Sequence, residues 1–390
     1  MDGITQALLG AVVGQASAGQ RLGRRAAWWG ALGGMLPDAD IFVSMPFDEF
    51  TSMWVHRGES HSLWFGPVVG PLLGWGVWRV HRARAGRRAP TVDLEANSVT
   101  ARASLRAWVL LFILALLTHP LLDVFTTYGT QLLAPFSRAR FALDGVGIID
   151  PVYSVILIVA LAWGSAWRQQ PRRAARVAQG ALALSTSYLL VGLWMTHRVE
   201  QRAARELAAH GYPTSSIHAY TSVFQFGLKR VVAHSGKEVL VGYVSGLRPS
   251  PIEWLSYPLE PHPDVDRVLN TPRGELFQWF ANGQLTWRVI PEPPADEPAQ
   301  PPSDSVSRRV EIDDLRYGMP GRPDRGFWGI VAHVSPSGEV SEVKRLRHPR
   351  DIRDGQIADI FRAAWGHDPR TFRVGVGASV KPYELSRDRE

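Results

Sequence analysis

The chain contains no cysteine. That excludes disulfides, cysteine–zinc sites and thiol nucleophiles, so any metal site must use nitrogen and oxygen donors. It permits an oxidising compartment without requiring one. Two other features are scarce. The opening "MDGITQ" lacks a basic segment and no A-x-A site follows a proper apolar run, so no cleavable signal peptide is expected. The longer apolar blocks carry almost no charged residues, which argues against a transporter. What is present is a net charge of +7, with arginine supplying almost all of the basic excess. Such a charge invites a nucleic-acid reading. Here the arginines cluster between apolar blocks, so a topology reading is favoured and no direct nucleic-acid binding is expected.

A membrane helix needs about 20 apolar residues. Four blocks come near that length: Leu63–Val80, Leu105–Leu122, Val152–Trp167 and Gln179–Thr196. Two shorter glycine-rich blocks precede them, Ile4–Gly19 and Ala26–Leu36, where Gly10, Gly14, Gly30, Gly33 and Gly34 would allow close helix contacts. Arg21, Arg24 and Arg25 separate the first two blocks; Arg82, Arg84, Arg87, Arg88, Arg102 and Arg106 separate the third and fourth; Arg168, Arg172, Arg173 and Arg176 separate the last two. The alternate connections, 37–62 and 123–151, are acidic or balanced. This alternation fits the positive-inside rule with six spans. The expected architecture is an α-helical polytopic membrane domain of about six helices over residues 1–200, with the lipid bilayer as its partner. The N-terminus, the two non-basic loops and everything after Thr196 would lie outside the cytoplasm.

On that topology the chemically useful side chains gather on the outer face. Asp2 precedes the first block, and Asp38 and Asp40 follow the second in "LPDAD". "HRGESHSL" brings His56, Arg57, Glu59 and His61 to the start of the third. His119 and Asp123 end the fourth, four apart and so on one helix face. Asp150 opens the fifth. Histidine with carboxylate is an ordinary donor set for zinc, manganese or iron, and an open site of this kind suits catalysis better than a closed structural zinc. Each element has a plainer reading as a helix cap or interfacial charge. Their convergence on one face favours a metal site.

Several of these words, in this order, resemble a known family: "MDGITQALLGAVVG", "GALGGMLPDADI", "HRGESHSL", "THPLLDVFTTYGTQLLAPFS" and "IIDPVY". Over roughly residues 1–200 the chain is similar to the YdjM family of bacterial inner-membrane metal-dependent hydrolases. The resemblance implies an inner-membrane hydrolase in which a divalent metal, zinc or else manganese or iron, activates water against a phosphoester or other ester. The expected ligands are His56, His61, His119, Asp123, Asp38 and Asp40, with Asp150 and Asp2 behind them. Glu59 is a candidate general base, with a solvated charge as the alternative, and Arg57, Arg138 and Arg140 are candidates for holding an anionic group. A site at the outer lip of helices suits an anionic or lipid-linked substrate. The competing reading is a non-enzymatic membrane protein with a structural metal and a partner-binding β domain; no motif names a protein partner.

After Thr196 a short charged helix is expected, and then the pattern alternates. "SVFQFGLKRVVAHSGKEVLVGYVSG" reads as two strands about a Ser-Gly turn. "GELFQWFANGQLTWRVI" reads as a hairpin tipped by Asn282-Gly283. A proline-rich linker, 291–302, and further strands follow. Residues 201–390 are therefore expected to form a small, mostly antiparallel β domain outside the cytoplasm, beginning near residue 215.

Overall fold

The structure, a computed structural model, describes residues 1–86, 94–167, 169–222, 224, 227–248, 252–292, 306–319, 322–348 and 362–365. These form two compact units, one containing residues 1–193 and the other beginning at Trp194.

The first unit is helical. Helix α1 (Gly3–Leu22) is capped by Asp2, which accepts a hydrogen bond from the Thr5 amide, and turns at Gly23 into α2 (Arg24–Met35). A short 3₁₀ turn (Pro37–Ala39) leads into α3 (Asp40–Ser44) and α4 (Glu49–Val55). A second 3₁₀ turn (Glu59–His61) precedes α5 (Phe65–Gly86), α6 (Leu94–Asp123), α7 (Pro151–Ala166) and α8 (Pro171–Ala209). The glycines do as expected. A Cβ on Gly10 would fall 2.2 Å from the Gly30 carbonyl oxygen, and one on Gly14 would fall 2.2 Å from that of Ala26, so α1 and α2 touch backbone to backbone. Gly70 and Gly74 seat α5 on α6 in the same way, against Ile113 and Val109. A buried apolar cluster then joins Leu9, Val12 and Val13 of α1 to Leu122 of α6, Leu157 of α7 and Leu189 of α8.

Each expected apolar block is a helix, but length and composition separate them. Among the described residues, only Ser104–Asp123 of α6 and the long α8 are apolar enough over a sufficient length to cross a membrane. Helix α7 is apolar but has 16 residues, about 24 Å at 1.5 Å per residue, short of a ~30 Å hydrocarbon layer. Helix α2 has only 12 residues, and α5 runs out into arginines. Large apolar side chains nevertheless face outward on these helices, with Trp28 71 %, Leu72 66 % and Trp163 60 % exposed.

The second unit starts inside α8. The helix expected to begin after Thr196 is the end of α8: with no proline between Pro171 and Pro213, α8 continues unbroken to Ala209. Strands β1 (Ser216–Thr221), β2 (Leu228–Ser235), β3 (Glu238–Ser245) and β4 (Glu253–Pro258) form an antiparallel meander. Val199, Ala203 and Leu207, spaced one helical turn apart on α8, pack against Val231, Ala233, Leu240 and Trp254. Val232 and Val241 point to the opposite face, toward Tyr220, Tyr257 and Leu315. The sheet is thus buried on both sides, and β2 is apolar without strict alternation. Helices α9 (Pro263–Leu269) and α10 (Pro272–Phe280) come next. A second antiparallel sheet combines β5 (Leu285–Glu292), β6 (Ser307–Asp314), β9 (Gly329–Val334) and β10 (Lys344–Leu346) in the order β10-β9-β6-β5. A small ribbon, β7 (Gly318–Met319) with β8 (Arg322–Gly326), stands beside it.

The expected hairpin over 274–290 is instead helix, turn and strand. Thr271 caps α10 through the Gly274 amide and Pro272 sits at its first position, while Phe277 and Phe280, three apart, bury one helix face. Asn282 (φ 50°) and Gly283 (φ 71°) make the left-handed turn the dipeptide suggests, but it ends a helix rather than joining two strands. Of the proline-rich segment, Pro291 and Glu292 finish β5 and residues 293–302 lie outside the described residues.

Candidate metal centre

Four polar side chains from three separate stretches meet inside the first unit. Asp38 comes from the turn after α2, His61 from the turn before α5, and His119 and Asp123 from the last turns of α6. One donor atom from each lies within 4.8 Å of every other. His61 Nε2 and His119 Nε2 are 3.0 Å apart, and each is 3.4 Å from Asp38 Oδ1. Asp123 Oδ2 is 3.4 Å from His61 Nε2 and 3.6 Å from His119 Nε2. Tetrahedral donors about 2.0–2.1 Å from a zinc-sized ion stand roughly 3.3–3.4 Å from one another. The spacing therefore fits one ion at the middle.

The surrounding contacts orient the donors as metal ligands are oriented. His119 Nδ1 lies 2.5 Å from the Gly34 carbonyl oxygen, which can only accept, so Nδ1 carries the proton and the Nε2 lone pair faces the centre. His61 Nδ1 faces Ser60 Oγ at 2.9 Å and Asp40 Oδ2 at 3.3 Å, which turns its Nε2 inward too. Carboxylate or carbonyl behind imidazole is the usual support for a metal-bound histidine. Asp123 receives the Met1 amino group and the Gln6 amide on Oδ1. Its other oxygen, Oδ2, is buried and accepts no hydrogen bond of ordinary geometry. It lies within ion-pair distance of Arg57 Nε and of both imidazoles, and is the oxygen that a cation at the centre would meet.

Of the eight residues expected to bind metal, the cluster takes in Asp38, His61, His119 and Asp123. The other four do different work. Asp40 sits behind His61 as a hub, bonding His56 Nδ1 at 2.8 Å, the Arg57 amide at 3.0 Å and Ser60 Oγ at 2.9 Å. His56 is drawn to Asp40 and so stands one residue further from the centre. Asp2 and Asp150 cap α1 and α7, Asp150 also accepting from the Tyr188 hydroxyl at 2.7 Å. A carboxylate just before a helix satisfies free amides wherever it stands, and in both cases that is the role seen.

The two expected catalytic residues part company. Arg57 is almost wholly buried, with Nε 3.2 Å from Asp123 Oδ2 and Nη1 donating to Thr126 Oγ1 at 3.0 Å. Its φ of 62° is left-handed, a conformation that costs a non-glycine residue on the order of 1 kcal/mol or more, and the packed guanidinium holds it there. Glu59 is half-exposed and ion-paired to Arg138. Partial burial acts to raise the Glu59 pKa, but the hydrogen bond and charge of Arg138 outweigh it and hold it below the usual glutamate range. Such a carboxylate is a weak proton acceptor at neutral pH. Arg140 donates to the Tyr128 carbonyl. Gln6 was not anticipated, although a glutamine within an apolar helix is itself a signal of a buried polar contact.

In His61, burial disfavours the charged ring, but hydrogen bonds to Asp123, Asp38 and Asp40 outweigh it and push the pKa up to about 10. In Asp38, burial is likewise outweighed, by the hydrogen bonds of His119 and His61, and its carboxyl titrates far below the usual range. A proton that these carboxylates favour on His61 is one that a cation at the centre would displace.

A helical unit with outward apolar faces and a buried His–Asp cluster is the make-up of a membrane protein carrying a metal-type site. The chain belongs to the YdjM inner membrane protein family, whose model matches residues 1–199, just over half its length. No curated protein and no solved structure matches it.

Proposed function

We propose that the protein is a metal-dependent hydrolase of the inner membrane, acting on a phosphoester or other ester of an anionic, lipid-linked substrate. The observation that carries this reading is the close approach of four buried or half-buried nitrogen and oxygen donors, all within 4.8 Å of one another. Zinc suits them, and manganese or iron would be accepted by the same donors. A bound ion would supply a water nucleophile at neutral pH and polarise a phosphoryl or carbonyl oxygen. The protein's own side chains hold the site. Asp40 and Ser60 fix the His61 ring, the Gly34 carbonyl fixes His119, and Arg57 balances the charge of Asp123. Asp38, at 20 % side-chain exposure, is the one donor open to the outside and marks the side from which substrate reaches the ion. Directly after Asp40, Ile41, Phe42 and Val43 are exposed, an apolar lip that favours a lipid-borne substrate.

The test is hydrolysis by the detergent-purified, zinc-loaded protein, with phosphodiester, phosphomonoester and carboxylic-ester lipids as substrates. Turnover should vanish on chelation and return with metal. One observation favours the second reading, a structural metal in a non-enzymatic protein: three of the four donors have no exposure at all. A metal-loaded protein that turns over none of the three ester classes would leave that reading standing.

We also propose that α1, α2 and α5 to α8 all lie in the membrane, the short ones as members of a glycine-packed bundle. Arginine connections on one side and outward apolar side chains on every helix support this. The β unit then lies outside the cytoplasm. Reporter fusions at Ala89 and Pro298 should read opposite compartments; the same compartment for both would sink the arrangement.

A further inference from the structure

We propose that Gln6 is a positioning residue of the metal centre, holding Asp123 to coordination through a single oxygen; the inference rests on the metal reading above. Gln6 is fully buried on the first turns of α1. Its Nε2 lies 2.9 Å from Asp123 Oδ1 and 3.2 Å from the His119 carbonyl oxygen. Both partners can only accept, so the amide has one workable orientation, with its NH₂ toward α6. One side chain therefore touches both donors that α6 contributes, one through its carboxylate and one through its backbone.

The consequence for Asp123 is geometric. A carboxylate with two free oxygens can shift between one-oxygen and two-oxygen binding of a cation. The Gln6 amide and the Met1 amino group together occupy Oδ1, which leaves Oδ2, the oxygen that faces His61 Nε2 and His119 Nε2. Gln6 cannot retreat from this contact. A Cβ on Gly34 would come within 2.5 Å of the Gln6 backbone oxygen, so α1 is pressed against α2 at this turn. Gly34 in turn presents its carbonyl to His119 Nδ1. The close helix pair thus sets the position of two ligands through one glutamine and one carbonyl. A second observation also points to the site: Gln6 Oε1 is buried and accepts no hydrogen bond.

The experiment uses the full-length protein in detergent with Co²⁺ as the probe, because its visible spectrum reports coordination number. Gln6→Met removes the amide at similar volume and leaves Asp123 Oδ1 to the Met1 amino group alone, so that the carboxylate is less firmly held. Supports of this kind typically change affinity about 10- to 100-fold, and a loss of that size is expected here, with an altered visible spectrum as Asp123 shifts. Gln6→Asn keeps an amide that is one methylene too short to reach both acceptors, and should shift affinity and spectrum in the same direction if Gln6→Met fails to insert. Gln131→Met is the control. Gln131 is equally buried in the same unit but donates to the Trp54 carbonyl, so its loss should lower thermal stability and leave the Co²⁺ spectrum unchanged. Gln6 variants with native Co²⁺ affinity and spectrum would reduce Gln6 to a helix tie and overturn the proposal. No Co²⁺ uptake by the unaltered protein would overturn the metal reading, and this inference with it.

Discussion

Replacing His61 by alanine should yield a protein that still inserts in the membrane but no longer retains its metal, and Asp123→Ala should do the same. Four-donor zinc sites bind with about 10–16 kcal/mol, so an even share per donor is roughly 2.5–4 kcal/mol, on the order of 10²- to 10³-fold in affinity. Elemental analysis after dialysis against a weak chelator resolves a change of that size. The double variant should be little worse than either single one, because donors of one ion act as a unit. His56→Asn is the informative contrast. His56 bonds Asp40 and meets the His61 ring edge-on without offering a donor to the centre, so its loss should weaken binding by at most about 10- to 100-fold. Asp2→Asn and Asp150→Asn, altering helix caps, should leave metal content intact. Retention of full metal by both His61→Ala and Asp123→Ala would remove the site. The proton held on His61 adds a dependence on pH: uptake should release a proton and weaken as the pH falls.

How much of this was legible in the sequence depends on what each residue's role requires. His119 and Asp123 share a helix face by spacing alone, and α6 places them together. Asp38 and Asp40 stand two apart in a tight turn, and only the fold shows that one faces the donors and the other faces the back of His61. Asp2 and Asp150 could not be sorted from ligands, since a cap and a ligand both call for a carboxylate at a helix start. The glycines of α1 and α2 were readable because close approach leaves few alternatives to glycine. In the second unit the valine-rich runs of β2 and β3 about their turn were clear, while "GELFQWFANG" misled because Asn282-Gly283 suits a hairpin tip as well as a helix end, and Phe277 and Trp279, two apart, also fit one face of a strand. The unbroken α8 escaped notice because its change from apolar to charged residues marks a change of surroundings and not of backbone.

That continuity has a consequence for the second unit. A fragment beginning at Ser215 should fail to fold, whereas one beginning at Trp194 should unfold cooperatively. The shorter fragment lacks Val199, Ala203 and Leu207, which cover Val231, Ala233, Leu240 and Trp254 on one face of the first sheet. Burying a valine or leucine is worth about 1.5–3 kcal/mol each, and the uncovered sheet residues lose burial as well. The fully buried Lys229 would also lose Thr196, whose hydroxyl accepts from its ammonium at 2.7 Å. An exposed half-core with a weakened buried cation costs well over about 5 kcal/mol, comparable to the roughly 5–15 kcal/mol that holds a typical domain together. Urea titration followed by tryptophan fluorescence distinguishes the outcomes, with a single sigmoid for the longer fragment and a drifting baseline or aggregate for the shorter. Equal midpoints for the two fragments would show that the end of α8 is dispensable to the β unit and that the sheet covers its own core.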